Sequence, residues 1–430
     1  MAWDFETDET YQKELDWVEG FVREELEPID LVVRHPQDLQ DPVRQELIPP
    51  LQEEVRRRGL WATHLGPELG GRGDGQVKLA LLNEILGRAR CGPIVFGCQA
   101  PDTGNSEILA HYGTPEQKDR FLAPLLAGEA VSCFSMTEPQ GGADPKVFTT
   151  TAVRDGDEWV IDGEKWFSSN ARFASFFIVM AVTDPDADPY RRMSMFLVPA
   201  DAPGIEILRN IGLGGQDAAD GTHAHMRYRQ VRVPATNMLG PRGDAFVVAQ
   251  TRLGGGRIHH AMRAVALVRR ALDMMCERAL SRHTQGSLLG DKQLVQQMIA
   301  DSWIDLESFR LLVLRTAWKI DRYKDYKRVR ADISAVKAAM PRVLHDVSAR
   351  ALQVHGSLGL ANDMPFMWLI AESFHMGLAD GPTEVHKVTL ARQELALHEP
   401  APGAFPTGYL PPKEQAARER FAEVLERHGR

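Results

Sequence analysis

Three ionisable groups, Asp380, Glu384 and His386, crowd the stretch LADGPTEVHKV at 378–388. A carboxylate beside a Gly-Pro break can take a proton from a carbon acid in a dry pocket. It can equally cap a helix, since Asp accepts backbone N–H bonds and Pro suits the first helical position. Four more stretches carry groups of this kind. CFSMTEPQGGAD at 133–144 places a hydroxyl and an acid before paired glycines, which let a backbone approach a flat or phosphorylated ligand; a strand ending in a turn reads the same way. In DGEKWFSSNA at 162–171, Trp166 with Ser168 and Ser169 can flank a planar ring by packing and hydrogen bonding; a strand with a buried Trp is the plainer alternative. GGGRIHH at 254–260 sets Arg257 at an expected helix start, and Arg282 falls near that helix's end. Arg at a helix end binds phosphate bidentately or simply offsets the dipole. ALQVHGSLGL at 351–360 ends a helix at Gly356, with Gln353 in its last turn, as a C-cap would.

The histidines do not predict a metal. His259 and His260 are adjacent on a helix and point about 100° apart. His223 and His225 share a strand face but have no third ligand near them in sequence.

The elements that must position these groups follow from composition and period. With 430 residues, 43% hydrophobic and 25% charged, the chain suits two or three globular domains. A net charge of -9 disfavours nucleic acid as a partner. Four cysteines without metal-ligand spacing suit a reducing compartment. The acidic N-terminus has no apolar signal core, and no apolar run nears the roughly 20 residues that span a bilayer. No membrane association and a cytoplasmic location are therefore expected.

Residues 1–130 read as helical, with helices over Tyr11 to Glu27, Pro50 to Gly59 and 79–89, and a Thr114-Pro115 helix start. Residues 131–240 read as a β-domain. It holds a hairpin around Gly156 and a strand at 176–182, FFIVMAV, long enough for a buried strand. Residues 241–398 read as four long apolar-faced helices in an antiparallel bundle, the last at 383–397, with Pro341 kinking the third. Residues 399–430 read as a Pro-rich linker and a terminal helix.

The ordered set SMTEP, GEKWFSS, GGGRI, R-x3-G, QVHGSLG and DGP spans about 250 residues, and in this order it resembles the acyl-CoA dehydrogenase flavoprotein family. The wording of GGRIHHAMR and DGPTEVH is most similar to a branch that in some eukaryotes is fused to a phosphotransferase-like kinase domain; this chain shows no kinase motif. The resemblance implies an α+β fold with an N-terminal helical domain, a middle β-barrel-like domain and a C-terminal four-helix bundle. It implies FAD between the last two.

By position, Phe134, Met136, Thr137 and Gly142 would line the flavin, with Thr137 on its pyrimidine edge. Trp166, Ser168 and Ser169 would cover it. Arg282, Gln353, Gly356 and Ser357 would bind FAD phosphates and ribose, largely from a neighbouring subunit, in a homodimer or homotetramer. Pro382, Thr383 and Glu384 would also meet the cofactor, while Ala143, Gly254, Arg257 and Gly381 would face acyl-CoA.

Asp380 would be the base, with desolvation raising its pKa, and a β-hydride would pass to FAD. A backbone N–H of Gly381 or Asp380 would polarise the thioester carbonyl. Electrons would leave to an electron-transfer flavoprotein, within fatty-acid β-oxidation. The alternatives are an acyl-CoA oxidase using O2 and a catalytically silent acyl-CoA- or flavin-binding scaffold. Three departures mark this chain: Gln285 where many relatives have Phe, Ala143 where many have Ser, and Asp380 where Glu is frequent. Gly254, Gly255 and Gly256 would leave room for the shorter acid to move inward, or for a branched or hydroxylated acyl chain.

Overall fold

Asp8 opens the first helix, Glu9–Phe21, by accepting the Tyr11 N–H at 2.8 Å. The computed structural model describes residues 5–69 and 71–430; the first four residues of the acidic N-terminus, and Gly70 of a Gly-rich loop, lie outside them. The next long helix, Pro42–Arg57, begins well before the predicted Pro50. Asp41 caps it by accepting the Arg44 N–H, and burial of Ile48, Gln52 and Val55 carries it through Pro49 and Pro50. Helices Gln76–Leu86 and Asp102–Tyr112 complete the part that packs on the C-terminal bundle. Thr114 forms a capping box with Gln117 at the predicted helix start.

The middle of the chain is one eight-stranded sheet: β1 (Ser132–Ser135), β2 (Thr151–Asp155), β3 (Glu158–Ser169), β4 (Phe176–Val182), β5 (Met193–Pro199), β6 (Ile205–Ile211), β7 (His223–Pro234) and β8 (Met238–Leu239). Its order is β6-β7-β3-β2-β4-β5-β8, with β1 parallel to β4. The β2–β3 hairpin turns at Gly156, φ +58°. Every residue of β4 is buried, because its two faces serve two cores. Phe176, Ile178, Met180 and Val182 pack toward helices 102–112 and 245–281. Phe177, Val179 and Ala181 pack with Trp159 and Tyr228 of the same sheet. That double burial is why FFIVMAV lacks the alternation of a half-exposed strand.

The C-terminal helices are Ala245–Ser281, Gln293–Tyr323, Arg330–His355, Phe366–Leu378 and Thr383–Leu395. Two expectations need correction. The first helix starts at Ala245, so Arg257 and the three glycines lie inside it rather than at its start. The fourth helix to enter the apolar core is 366–378, through Phe366, Leu369 and Met376, whereas 383–395 buries only His386. FMWLIAESFHMGL is apolar around most of its circumference, so it offered no one-sided stripe to read. The 330–355 helix continues through Pro341. Beyond it the tail forms Leu410–Arg420 and Ala422–Arg427, both exposed. Among the described residues no helix is long and apolar enough to cross a membrane.

Candidate active site

Asp380 and Gly381 form the turn between helices 366–378 and 383–395, with φ +55° and +104°. The turn is braced from two sides. Arg257 Nε donates to the Asp380 carbonyl at 3.0 Å, and His386 Nε2 lies 3.3 Å from the same oxygen. A Cβ at Gly381 would meet His386 Nε2 at 3.1 Å, so glycine is required by both conformation and space. The Asp380 side chain does not cap the following helix; Pro382 occupies the N-cap position without a side-chain bond.

The carboxylate points at the 245–281 helix. Its Oδ2 would lie 3.3 Å from a Cβ at Gly256 and is 3.6 Å from His260 Nε2, and its Oδ1 is 3.9 Å from Arg252 Nη1. These contacts are too long for hydrogen bonds. Burial pushes the carboxyl up, but His260, Arg252, Arg257 and Lys337 outweigh it, and the net displacement is downward. Burial and Arg263 push His260 itself down to about 3, so its pull on the carboxylate fades once it is neutral, and Arg252, Arg257 and Lys337 are the standing cations. Burial lowers Lys337 to about 8, which leaves it protonated at neutral pH. In the substrate-free chain the neighbouring cations thus oppose the desolvation that was expected to raise Asp380.

Residues that sequence reasoning missed lie against the same stretch of helix 245–281. Glu107 Oε2 would lie 3.2 Å from a Cβ at Gly255, and the Tyr326 ring would lie against one at Gly254. Burial, only partly offset by Arg252, pushes Glu107 up to about 7. Three consecutive glycines inside a helix cost about 1 kcal/mol each relative to Ala. That run, at Gly254, Gly255 and Gly256, was the signal that neighbours approach this stretch of the helix closely, here Tyr326, Glu107 and Asp380 in turn.

The β-domain residues form a second group. Trp166 N–H donates to Thr137 O at 2.8 Å, and Lys165 Nζ donates to Met136 O at 2.9 Å, tying β3 to the loop after β1. Phe134 lies under the Arg252 guanidinium, 4.1 Å from the ring centre, and so joins the Asp380 pocket. Gly142 and Ala143 lie at an exposed edge, and a Cβ at Gly142 would meet nothing. Trp166 lies beneath Arg209, 4.9 Å away, and edge-on to His225. Ser168 is fully buried, its Oγ 2.9 Å from Ser135 Oγ, which accepts the Tyr228 hydroxyl. Ser169 Oγ meets His223 Nδ1 at 2.9 Å.

A third group is remote. Arg282 ends the 245–281 helix, and its Nη1 would lie 3.5 Å from a Cβ at Gly356, beside exposed Gln353 and Ser357. Arg257 and Arg282 lie on one helix axis, 25 residues apart, which is about 37 Å at 1.5 Å per residue. Gln285 is exposed at the tip of a small hairpin, with positive φ at both Gln285 and Gly286. Thr383 Oγ1 donates to Gly377 O at 3.2 Å, and Glu384 is exposed.

A helical layer, a sheet and a helical bundle together hold a largely covered carboxylate against a helix with three consecutive glycines, an arrangement that suits a dehydrogenase. Models of the acyl-CoA dehydrogenase N-terminal, middle and C-terminal domains match residues 8–129, 133–231 and 243–395. The chain belongs to the acyl-CoA dehydrogenase family. It is 42% identical over 356 residues to a Mycobacterium tuberculosis protein named probable acyl-CoA dehydrogenase FadE2, covering 81% of this chain and 86% of that one. It is 39% identical over 354 residues to rat acyl-CoA dehydrogenase family member 11; that match covers 81% of this chain but only 45% of the rat protein. A solved Mycobacterium abscessus structure assigned to the acyl-CoA dehydrogenases superposes with a TM-score of 0.84 at 37% identity, covering 92% of this chain and all of that one. The protein is an oxidoreductase acting on CH–CH groups, and its cofactor is FAD. The residues are compatible with that cofactor: a Cβ at Gly142 would meet nothing, and Asn170 Nδ2, just past the end of β3, is buried without a partner.

Proposed function

We propose that Asp380 removes the α-proton of an acyl-CoA thioester whose acyl chain lies against helix 245–281 near Gly254–Gly256. The observation that carries this reading is the carboxylate itself: ionised, mostly buried and free of short hydrogen bonds, it has lone pairs left for a substrate proton. FAD, when bound, accepts the β-hydride. Binding of an apolar acyl chain would displace water from the pocket and raise the carboxyl from its low starting point, toward the acidity of the proton it takes. Gly381, fixed by His386, presents backbone to the thioester carbonyl.

Met136, Thr137, Gly142, Trp166 and Ser169 hold the ring system in this reading. Ser168 supports the strand from within, because its hydroxyl is already engaged with Ser135. Arg282, Gln353, Gly356 and Ser357 hold the far end of a second FAD, bound mainly by a neighbouring copy. The 37 Å or so between Arg257 and Arg282 supports that sharing, and with it a homodimer or homotetramer. Electrons then pass to an electron-transfer flavoprotein, in a step of fatty-acid β-oxidation.

Anaerobic mixing with a panel of acyl-CoAs of varied length and branching should bleach the flavin with at least one of them. Asp380→Asn should keep FAD and lose the bleaching by about a hundredfold or more. Near-normal bleaching by that variant would move the base elsewhere. Hydrogen peroxide formed stoichiometrically with product in air would replace the electron-transfer flavoprotein with oxygen.

A further inference from the structure

We propose that Arg252 is the positioning residue of the Asp380 carboxylate, held by a polar chain that runs through all three parts of the fold. Its Nη1 stands 3.9 Å from Asp380 Oδ1, its Nε donates to Asn105 Oδ1 at 2.8 Å, and its guanidinium carbon lies over the Phe134 ring, 4.1 Å from the centre. Asn105 Nδ2 in turn donates to Ser132 Oγ at 2.8 Å. The Ser132 N–H donates to Asp102 Oδ1 at 2.9 Å, and Gln99 Nε2 holds Asp102 Oδ2 at 2.9 Å. The chain thus links helix 102–112, strand β1, helix 245–281 and the Asp380 turn. Gly104 makes room for it: a Cβ there would sit 2.8 Å from Arg252 Cγ.

The two arginines near Asp380 divide the work. Arg257 grips the backbone carbonyl and fixes the turn; Arg252 faces the carboxylate and fixes where its oxygens rest. A guanidinium engaged at Nε and on its face cannot follow the carboxylate as it swings. It therefore sets an end point for the side chain without consuming its lone pairs. A lysine would keep the charge and lose the fixed fork.

The other charged or titratable groups in reach of Asp380 are Arg257, His260 and Arg263 on the same helix as Arg252, Lys337 on helix 330–355, His375 on 366–378, itself paired with Glu372, and His386 on 383–395. Glu107 on helix 102–112 acts through Arg252.

The inference rests on Asp380 being the base, so Asp380→Asn is run in parallel. FAD-loaded wild type, Arg252→Gln, Arg252→Lys and Asn105→Ala are mixed anaerobically with the acyl-CoA that bleaches the wild type fastest, between pH 5.5 and 9. Arg252→Gln should slow bleaching about tenfold or more and move the acid limb up by about one pH unit. Arg252→Lys should return the limb toward its wild-type place while leaving the rate low. Asn105→Ala, which frees the guanidinium but keeps its charge, should lower the rate and leave the limb in place.

A purely structural role would lower FAD content and Tm without moving the limb, and that result overturns the proposal. So does wild-type bleaching by Arg252→Gln. If Arg252→Gln does not fold, Asn105→Ala decides: a wild-type rate there overturns the proposal. Bleaching by Asp380→Asn would remove the base reading itself. A silent Asp380→Asn beside a wild-type-like Arg252→Gln removes only the role given to Arg252.

Discussion

Two carboxylates in this chain, Glu138 fully buried and Asp380 largely so, sit among cations, and they are built in opposite ways. Glu138 lies in the loop after β1, and Lys165 Nζ meets it at 2.8 Å. The Thr149 and Thr150 N–H groups, Gln140 Nε2 and the Thr149 hydroxyl fill its remaining lone pairs. Burial would raise Glu138, but these partners, Lys165 first, hold it at about 2. Asp380 has more cations near it but, among the described residues, no ion pair shorter than 3.6 Å, on a turn with φ +55°. The first is saturated and the second is charged but unsaturated. A saturated buried pair fixes structure; charge held near a carboxylate with free lone pairs keeps it ready for a substrate.

The comparison is tested most severely at Lys165. Lys165→Met should cost about 3–5 kcal/mol, because it leaves Glu138 buried without its cation. Asp380→Asn should cost no more than about 1–2 kcal/mol, since it breaks no short bond. Denaturant unfolding of the FAD-loaded proteins measures both. Equal losses would mean that the two sites differ in appearance only.

Glu107 offers a pH test of the same pocket. Its carboxyl is raised from 4.5 to about 7 by burial. A raised acid contributes stability below its unfolded pKa, and that contribution disappears as pH rises through the folded pKa. The loss should therefore develop between about pH 4.5 and 7 and amount to on the order of 3 kcal/mol. Glu107→Gln should melt close to wild type at pH 5 and well above it at pH 8. A gap that does not change with pH would show that Glu107 is not buried as an acid.

How much of this was legible depended on whether each signal was local. Thr114 and Gly156 announced their turns because caps and hairpin residues act on their own neighbours. Asp380, Trp166 and Gly254 to Arg257 could be picked out by type and order. Arg252 and Glu107 could not, since what marks them is a partner such as Asn105, far away in the chain. The 366–378 helix was missed for a different reason: a segment apolar on most sides has no period to detect. The downward displacement of Asp380 was hidden because it comes from cations on two helices, whereas burial alone argues for the opposite sign.

The shorter acid at 380 can be tested by lengthening it. Asp380→Glu moves the carboxylate outward by one methylene, toward the place where Gly256 already lies close. If the pocket is shaped around Asp, bleaching should fall by about a hundredfold, the usual cost of a misplacement near 1 Å. A faster enzyme would mean that the glycine face is wide enough for either acid and that the Asp is not matched to it. The rate of anaerobic flavin reduction, at saturating acyl-CoA, separates the two.

The smallest effect is the most discriminating, because stability and activity should move in opposite directions. Gly256→Ala places a methyl 3.3 Å from Asp380 Oδ2, closer than most such contacts but not a clash. Because the Asp380 carboxylate makes only long contacts, it can yield by a few tenths of an ångström. The helix then keeps the propensity gained on replacing glycine, up to about 1 kcal/mol. Thermal unfolding of Gly256→Ala should therefore rise slightly, while flavin reduction slows because the carboxylate has been pushed off the position it holds beside Arg252. A variant that loses stability would show the Asp380 side chain to be as tightly fixed as Glu138, and the contrast between the two carboxylates would fail where it is easiest to measure.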